Sequence, residues 1–205
     1  MINFVNHPIA KNALAKLRNK NTELKEYREY SKILTYLIAV EASKKFPTRD
    51  IKTNTPFEEV ISEVFDFDII LLPILRAGLS MVDSFLEIFP EARIGYVGVR
   101  RNEDTLQPEE YYYKIPEVYE NTIVIILEPM IATGGTICQT LGRLQLDNIN
   151  NVVITSIICA PEGFERILSE FPLIDMTTAA LDRELNSKGY IIPGLGDAGD
   201  RYTGI

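Results

Sequence analysis

Six short apolar runs follow residue 66, and they constrain the fold of this chain more than any other feature. Several are rich in isoleucine and valine, and nearly all of their positions are apolar rather than alternating with polar ones. A continuous apolar strand is buried on both faces, as happens in a parallel sheet that helices cover on each side. The runs lie at residues 69–72, 94–99, 111–115, 122–127, 152–158 and 174–180.

Segments of helical length separate several of these runs, at about residues 77–89, 135–147 and 161–171. Strands that alternate with helices predict an α/β fold with a mostly parallel sheet flanked by helices. Ligands of such folds bind at the carboxyl ends of the strands. Residues that directly follow an apolar run are therefore the first candidates for a functional site.

The first 65 residues are predicted to be helical. An apolar stripe at helical spacing begins at Leu24, after the possible start Asn21-Thr22-Glu23, and ends near Phe46-Pro47. With 205 residues the chain fits a single domain, 1–205. We expect a helical part at about 1–65, a core sheet at about 66–180 and a C-terminal segment at about 181–205.

Composition narrows the class of protein. The hydrophobic fraction of 46% and the charged fraction of 24% are those of globular proteins. Residues 1–18 hold no continuous apolar stretch, so neither a signal peptide nor a membrane anchor is predicted, and we expect a soluble cytoplasmic protein. A net charge of −8 argues against nucleic acid as a partner. A small polyanion would need locally concentrated cations, which makes the arginine positions informative.

The cysteine and histidine content excludes several kinds of catalysis. Cys138 and Cys159 are far apart without CxxC spacing, so no disulfide framework is predicted. With one histidine, His7, a zinc site and Ser-His or Cys-His catalysis are nearly excluded. His7 lies near the chain start beside a proline, and we expect it to be a surface residue.

The segment 123–136 carries the strongest candidate site. A buried strand ends at Glu128, and a small-residue turn then leads into a helix. Gly134 and Gly135 allow backbone amides to close around an anion at the helix N-terminus, while the hydroxyls of Thr133 and Thr136 can donate to phosphate oxygens. No lysine is present, so this is not a Walker A loop. The alternative is an ordinary strand-to-helix turn.

Arginines follow two other predicted strands. Arg76 comes directly after a buried run and before Ala77-Gly78, which opens a helix; a charge there is badly placed for packing and well placed for a ligand phosphate. Arg100 and Arg101 follow the strand at 94–99 and stand at the base of an excursion with a polar tip, which returns through the tyrosines of 111–113. We call residues 94–115 the β-arm. A solvated surface hairpin is the alternative for this segment.

The C-terminal segment is dense in glycine. Residues 194–199 match the pattern GxGxxG, but only six residues follow, too few for the helix, strand and acid of a dinucleotide site. What remains is a loop that exposes main-chain groups, with Asp197 and Asp200 in it. Backbone N–H, C=O and N–H groups in series would complement the O2, N3–H and O4 edge of uracil. A loose terminus is the alternative, although Ile191 and Ile192 favour an anchored segment.

Together these segments resemble the uracil phosphoribosyltransferases, a family with the type I phosphoribosyltransferase fold, from about His7 to Ile205. The fold that this resemblance implies has a β-arm and a C-terminal hood over the base, here residues 181–205. The specific matches are the motifs at 73–78, 132–135, 160–163 and 193–201. The last of these separates uracil enzymes from purine and orotate ones.

The resemblance implies transfer of a phosphoribosyl group from phosphoribosyl pyrophosphate to uracil, giving UMP and pyrophosphate. It implies a donor that carries Mg²⁺ without direct protein ligands, GTP as a possible effector and a dimer or higher oligomer. Asp197 and Arg101 would be catalytic, with Asp197 either assisting proton loss from uracil or stabilising the cationic sugar. The donor would contact Arg76, Arg101, Asp197 and the loop Glu128, Pro129, Met130, Ile131, Ala132, Thr133, Gly134, Gly135 and Thr136, and uracil would contact Ile191, Gly196, Asp197 and Ala198.

One residue departs from the family pattern, which usually has aspartate where this chain has Glu128. The extra methylene displaces the carboxylate by about one bond length, and a misplacement of about 1 Å can cost about 100-fold in rate. Three alternatives to a uracil enzyme stay open on sequence grounds. They are a nucleotide-sensing, RNA-binding regulator, a non-catalytic member of the same fold and a phosphoribosyltransferase for another base.

Overall fold

The computed structural model describes residues 2–101 and 108–205, without the side chains of Arg100, Arg101 and Pro108. Helices lie on both faces of a central sheet that has nine strands within these residues. The elements in chain order are β1 (Ile2–Phe4), α1 (Pro8–Arg18), α2 (Leu24–Ala42), a 3₁₀ turn (Ser43–Lys45), β2 (Thr48–Asn54), β3 (Glu59–Phe65), β4 (Asp68–Leu75), α3 (Leu79–Ile88), β5 (Arg93–Ile94), β6 (Tyr96–Arg101), β7 (Pro108–Lys114), β8 (Thr122–Leu127), β9 (Met130–Ile131), α4 (Gly135–Leu146), β10 (Val152–Cys159), α5 (Pro161–Glu170), β11 (Asp175–Leu181), β12 (Glu184–Leu185), β13 (Ile191–Ile192) and α6 (Ala198–Thr203).

The strands of the sheet run in the order β1-β11-β10-β8-β4-β6-β7, with β5 paired to β4 and β9 to β10. Every neighbouring pair is parallel except β6 and β7 of the β-arm. The predicted α/β fold with a mostly parallel sheet is confirmed. The parallel strands bring the segments that follow β4, β8, β10 and β11 to one edge of the sheet.

Strand β8 shows why the apolar runs are continuous. Ile123, Ile125 and Leu127 pack into the core layer under α1, α2 and α3, whereas Val124 and Ile126 pack into the layer under α4 and α5. All five side chains are buried, with at most 3% of their surface exposed. Successive residues of a strand point to opposite faces, so a strand between two helix layers needs apolar residues at every position.

The N-terminal prediction was wrong in two places. Residues 48–65 form an antiparallel hairpin, β2 with β3, instead of continuing the helical region, and β1 adds an edge strand beside β11. Along β3 half-buried positions such as Val60 and Val64 alternate with exposed positions such as Ile61 and Glu63. This two-residue period, with a turn in which the Thr55 backbone N–H donates to the Glu58 carbonyl, is the signature of a hairpin.

Two smaller expectations concern the N-terminus and the β-arm. His7 is exposed and caps α1, where its Nδ1 accepts a hydrogen bond from the Ile9 backbone at 3.2 Å, as a surface residue can. The polar tip of the β-arm, residues 102–107, lies outside the described residues. Among the helices that the structure does describe, none is both long and apolar enough to cross a membrane.

Candidate functional site

The site lies at the carboxyl edge of the sheet. Arg76, Glu128, Ala160 and Asp182 each directly follow a strand, and these four strands are parallel neighbours in the sheet. Their positions at one edge result from the topology, because parallel strands end on the same side. The candidate residues that follow the apolar runs in the sequence thus lie together in one region of the molecule.

The loop 128–136 is tied to β10 along its first half. The Pro129 carbonyl accepts hydrogen bonds from the backbone N–H groups of Ile157 and Ile158, at 3.0 and 3.1 Å. The Ile131 carbonyl accepts one from Ala160 at 2.8 Å. These bonds hold the backbone of the loop at Pro129 and Ile131 against the end of β10.

Two glycines from different segments complete the loop. Gly134 has a φ of 74°, a left-handed conformation that other residues rarely adopt, and it immediately precedes α4. A Cβ atom on Gly134 would lie 2.6 Å from the Gly163 carbonyl oxygen. Gly163, in the first turn of α5, is as crowded in return. Both positions require glycine because backbone packs on backbone here.

A small cavity of about 110 Å³ lies inside the loop. Its lining includes the hydroxyl-bearing residues Thr133 and Thr136 at the start of α4, where backbone N–H groups and the helix dipole favour an anion. Of the predicted loop residues, all but Pro129 and Gly135 line it. The lining residues are Glu128, Met130, Ile131, Ala132, Thr133, Gly134, Thr136 and Ile137.

Glu128 is the acid at the entrance of this loop. Burial raises the pKa of its carboxyl from 4.5 to about 8, and the negative charge of Asp197 contributes in the same direction. A hydrogen bond from the Met130 backbone N–H opposes this shift of the pKa. The carboxyl of Glu128 is therefore more readily protonated in the ligand-free protein than an exposed glutamate is.

Arg76 lies on a tight turn between β4 and α3. Its side chain is exposed, and the peptide bond from Leu75 is cis. Gly78, two residues on, packs so closely that a Cβ there would lie 2.3 Å from the Leu127 carbonyl oxygen. The Arg76 turn thus packs on the backbone at the end of β8, directly before Glu128.

A cleft of about 610 Å³ opens between the Arg76 turn, the β-arm and the hood. The hood contributes the N-terminus of α6, where Asp197 caps the helix by accepting a hydrogen bond from the Asp200 backbone at 3.0 Å. A Cβ on Gly199 would lie 3.7 Å from the Ala77 Cβ, which places the hood directly over the Arg76 turn. The cleft is lined by Leu75, Arg76, Ala77, Leu79, Ser80, Val99, Tyr111, Asp197, Gly199, Asp200, Tyr202 and Thr203.

A buried ion pair anchors the hood to α1. Arg18 donates to both carboxylate oxygens of Asp182, one of them at 2.8 Å, and to the Gly194 carbonyl at 2.8 Å. Asp182 also accepts a hydrogen bond from the Gly194 backbone N–H at 2.8 Å. A carboxylate that is 3% exposed requires such partners, and here they hold the hood in place.

A second arginine fastens the end of the hood. Arg201 donates to the backbone carbonyls of Leu17, Leu195 and Asn19, and its guanidinium lies 4.4 Å from the centre of the Tyr27 ring. The loose-terminus alternative for this segment is therefore wrong.

The residues predicted to contact uracil occupy different environments. Ile191 and Ala198 are buried, at 4% and 6% exposure, and Ile191 belongs to the hydrophobic core. Gly196 and Asp197 are exposed, and among the four only Asp197 lines the cleft. Arg101 ends β6 at the same edge of the sheet, and its side chain lies outside what the structure describes.

Sequence reasoning missed three residues of this region. Gly163 belongs to a motif that was singled out, but its contact with the loop depends on how α5 packs. Tyr111, half-exposed in the cleft, covers Gly98, where a Cβ would lie 2.5 Å from the ring. Asp182 directly follows a strand, as Arg76 and Glu128 do, and the same rule applied to β11 finds it.

The candidate site offers few direct ligands for a metal. No cluster of three or more histidine, cysteine, aspartate or glutamate side chains suited to an ion occurs among the described residues. The two carboxyls near the loop, Glu128 and Asp197, suit an ion held mainly by the phosphates of a ligand, which is how Mg²⁺ is commonly bound.

A family model and a similar protein identify the family of this chain, and two solved structures share its fold. A family model described as uracil phosphoribosyltransferase matches residues 4–204. The uracil phosphoribosyltransferase of Thermosipho melanesiensis is 43% identical over 201 residues, which cover 98% of this chain and 97% of that protein. The solved structure of the AQ2163 protein from Aquifex aeolicus has a TM-score of 0.91 at 36% identity, covering 100% of this chain and 99% of that one. A hypoxanthine-guanine phosphoribosyltransferase from Bacillus anthracis is similar in fold, with a TM-score of 0.53 at 11% identity over 78% of this chain and 80% of that one.

Proposed function

Because the chain belongs to the uracil phosphoribosyltransferase family, we propose that it transfers the phosphoribosyl group of phosphoribosyl pyrophosphate to uracil, giving UMP and pyrophosphate. One observation of the site carries this proposal. The hood places Asp197 near Glu128 of the phosphate loop and in the same cleft as Arg76. This arrangement fits a donor that has phosphates at both ends. It also fits a base that is bound by the hood next to that donor.

The donor is held at its two ends. The 5′-phosphate occupies the cavity of the loop 128–136, where the backbone amides at the start of α4 and the hydroxyls of Thr133 and Thr136 donate to it. The exposed Arg76 binds the pyrophosphate, and Arg101 on β6 is the second arginine predicted to bind it. Glu128 accepts hydrogen bonds from the ribose hydroxyls once it is ionised.

The reaction needs no protein nucleophile. Departure of pyrophosphate from C1 leaves a cationic sugar that a ring nitrogen of uracil captures, so the protein must align the reactants, stabilise the leaving charge and exclude water. Arg76 and Arg101, the two arginines predicted at the pyrophosphate, supply positive charge where negative charge develops. Asp197 either assists the loss of the uracil proton or stabilises the cationic sugar, and these two roles remain alternatives.

Selection of uracil is assigned to the hood. Main-chain groups at Ile191, Gly196, Asp197 and Ala198 are proposed to pair with the polar edge of the base. Cytosine reverses the donor and acceptor at N3 and position 4, which would leave buried groups unpaired, and such sites can reject the wrong partner by about 10⁴-fold. Thymine differs by a methyl group only, so its exclusion is steric and weaker.

Five further properties belong to the proposal. Mg²⁺ enters with the donor as its complex, GTP acts as an effector and the protein assembles into a dimer or a larger oligomer; the family resemblance implies these three. Composition and length suggest the other two, that the protein works in the cytoplasm and that residues 1–205 form one domain. The first is supported by the few carboxyls at the site, Glu128, Asp197 and Asp200, which form no cluster suited to an ion among the described residues and leave the ion to the phosphates of the donor.

The reaction is tested by incubating the protein with uracil, phosphoribosyl pyrophosphate and Mg²⁺ and separating the products by chromatography. UMP and pyrophosphate should form in equal amounts, and a chelator added in excess over Mg²⁺ should stop the reaction. Absence of UMP with and without GTP would reject the proposed activity and favour the non-catalytic alternative.

A further inference from the structure

The guanidinium of Arg166 lies beside the first residue of α4. A Cβ built on Gly135 would lie 3.1 Å from Arg166 Nη1 and 3.7 Å from the hydroxyl of Thr133. Arg166 reaches this position from α5, one turn beyond Gly163, whose backbone packs against the loop. A cation and a hydroxyl therefore flank the point where α4 begins.

The loop itself carries no cation. Residues 128–136 contain one ionisable side chain, the carboxyl of Glu128, and neither lysine nor arginine. The partial positive charge of a helix N-terminus is about half an elementary charge, which leaves most of a phosphate dianion uncompensated. A guanidinium at the side of this N-terminus adds positive charge that the loop sequence lacks, and the carboxylate of Glu170 offsets part of it.

Arg166 forms an ion pair with Glu170, an acid on the same helix. Its Nε donates to Glu170 at 3.1 Å, one turn further along α5, and both side chains are about 45% exposed. Both also act on Cys138 in the first turn of α4: burial chiefly raises the pKa of this thiol to about 11, Glu170 raises it further and Arg166 lowers it. The pair thus lies along the side of α4 next to the loop.

We propose that Arg166 is a positioning residue that strengthens binding of the 5′-phosphate of the donor through its charge, from α5 at the side of the loop. This inference rests on the proposed function, because it takes the loop as the site of that phosphate. Arg166 does not line the cavity. It acts through its charge and through Gly135, whose missing side chain leaves room for the guanidinium.

The test compares ligands that share or lack the 5′-phosphate. Binding of ribose 5-phosphate and of pyrophosphate is measured by calorimetry for the wild type, Arg166→Gln, Arg166→Lys and the control Arg49→Gln. Arg49 is also a half-exposed arginine, and it pairs with Asp66 at 3.2 Å beside the strands β2 and β3. For one charge near a partly solvated dianion we expect Arg166→Gln to weaken ribose 5-phosphate binding about three- to tenfold. Lysine should retain most of the affinity, and Arg49→Gln should change it less than about twofold.

Pyrophosphate binding should be the same in all four proteins, and in steady state Arg166→Gln should raise the KM for the donor by the same factor with kcat unchanged. Equal losses for both ligands, an effect no larger than that of Arg49→Gln, or a wild type that does not bind ribose 5-phosphate would overturn the inference. A wild type that binds ribose 5-phosphate and makes no UMP would reject the proposed function alone. If the wild type makes UMP and Arg166→Gln binds ribose 5-phosphate as tightly as the wild type does, only the role of Arg166 would be rejected.

Discussion

The carbonyl oxygen of Ala132 occupies the space beside Gly163 where a side chain would begin, 2.3 Å from the position of a Cβ atom. This contact joins the loop 128–136 to the first turn of α5. It explains why a glycine is needed at a position that is neither a turn nor left-handed in backbone conformation. It also means that the loop depends on a residue that does not line its cavity.

Alanine at position 163 should therefore impair donor binding more than folding. The added methyl must displace the Ala132 carbonyl, and a shift of about 1 Å in the loop can cost about 100-fold in rate. We expect kcat/KM for the donor to fall by about 10- to 100-fold in steady-state assays of Gly163→Ala. The matched control is Gly142→Ala in α4, where no atom lies within 4 Å of the new Cβ. That change should leave activity unaltered and stabilise the helix by up to about 1 kcal/mol.

Replacement of Asp197 by asparagine separates its chemical role from its structural one. The Asp197 side chain caps α6, and asparagine caps helices about as well as aspartate does. Asp197→Asn should thus melt within a few degrees of the wild type and lose UMP synthesis nearly completely, by about 100-fold or more. Near-normal turnover would remove Asp197 from the chemistry, whereas a large fall in Tm would show that the charge is needed for the fold.

Glu128 should make stability depend on pH. Its pKa is raised from 4.5 to about 8 in the folded protein, chiefly by burial, so the folded state binds more protons than the unfolded state between these values. Its contribution is most favourable below about pH 4.5 and is lost as the pH rises towards about 8. Glu128→Gln has no titrating group at this position, so it does not lose stability in this way as the pH rises. In thermal melts the Tm of Glu128→Gln minus that of the wild type should increase between pH 5 and pH 8, and a constant difference would contradict the raised pKa.

The ion pair of Arg18 and Asp182 should stabilise the hood. Removal of Arg18 leaves a nearly buried carboxylate without its cation, and a broken buried pair costs about 3 to 5 kcal/mol. Arg18 keeps 24% of its side chain exposed, so we expect about 2 kcal/mol for Arg18→Ala in denaturant unfolding. The exposed pair of Arg49 and Asp66 is the control, and Arg49→Ala should cost less than about 1 kcal/mol. A loss for Arg18→Ala no larger than this would show that the hood does not depend on the pair. With a loosened hood, the KM for uracil should rise more than that for the donor.

Local sequence patterns predicted the central part of the fold. The run that contains Ile123 and Ile125 is apolar at every position because both of its faces meet helices, and this reads directly as a buried strand. The placement of Arg76 and Glu128 at one edge follows from the same rule, since both end neighbouring parallel strands. The hairpin at 48–65 was missed because the helical prediction was continued to residue 65, although the apolar stripe ends near Pro47 and the two-residue period of the hairpin is visible in the sequence.

Contacts between distant segments could not be predicted in this way. Gly163 packs on Ala132, and Arg166 lies beside Gly135, only because α5 crosses the start of α4 at a short distance. No local pattern encodes that distance. The same holds for the hood, whose glycines indicate a loop but not that Gly199 lies over Ala77. The family resemblance pointed to the motifs at 160–163 and 193–201, in which Gly163 and Gly199 lie. The structure explains why glycine stands at these two positions, because each packs closely on another segment.

The most direct test of the account is a competition among bases in one reaction. Uracil, cytosine, hypoxanthine, adenine and orotate are offered together with phosphoribosyl pyrophosphate and Mg²⁺, and the nucleotides formed are separated by chromatography. We predict UMP alone, with any other nucleotide lower by about 10⁴-fold as expected for a polar site that reads the base edge. A different nucleotide as the main product would contradict the assignment of the hood to uracil.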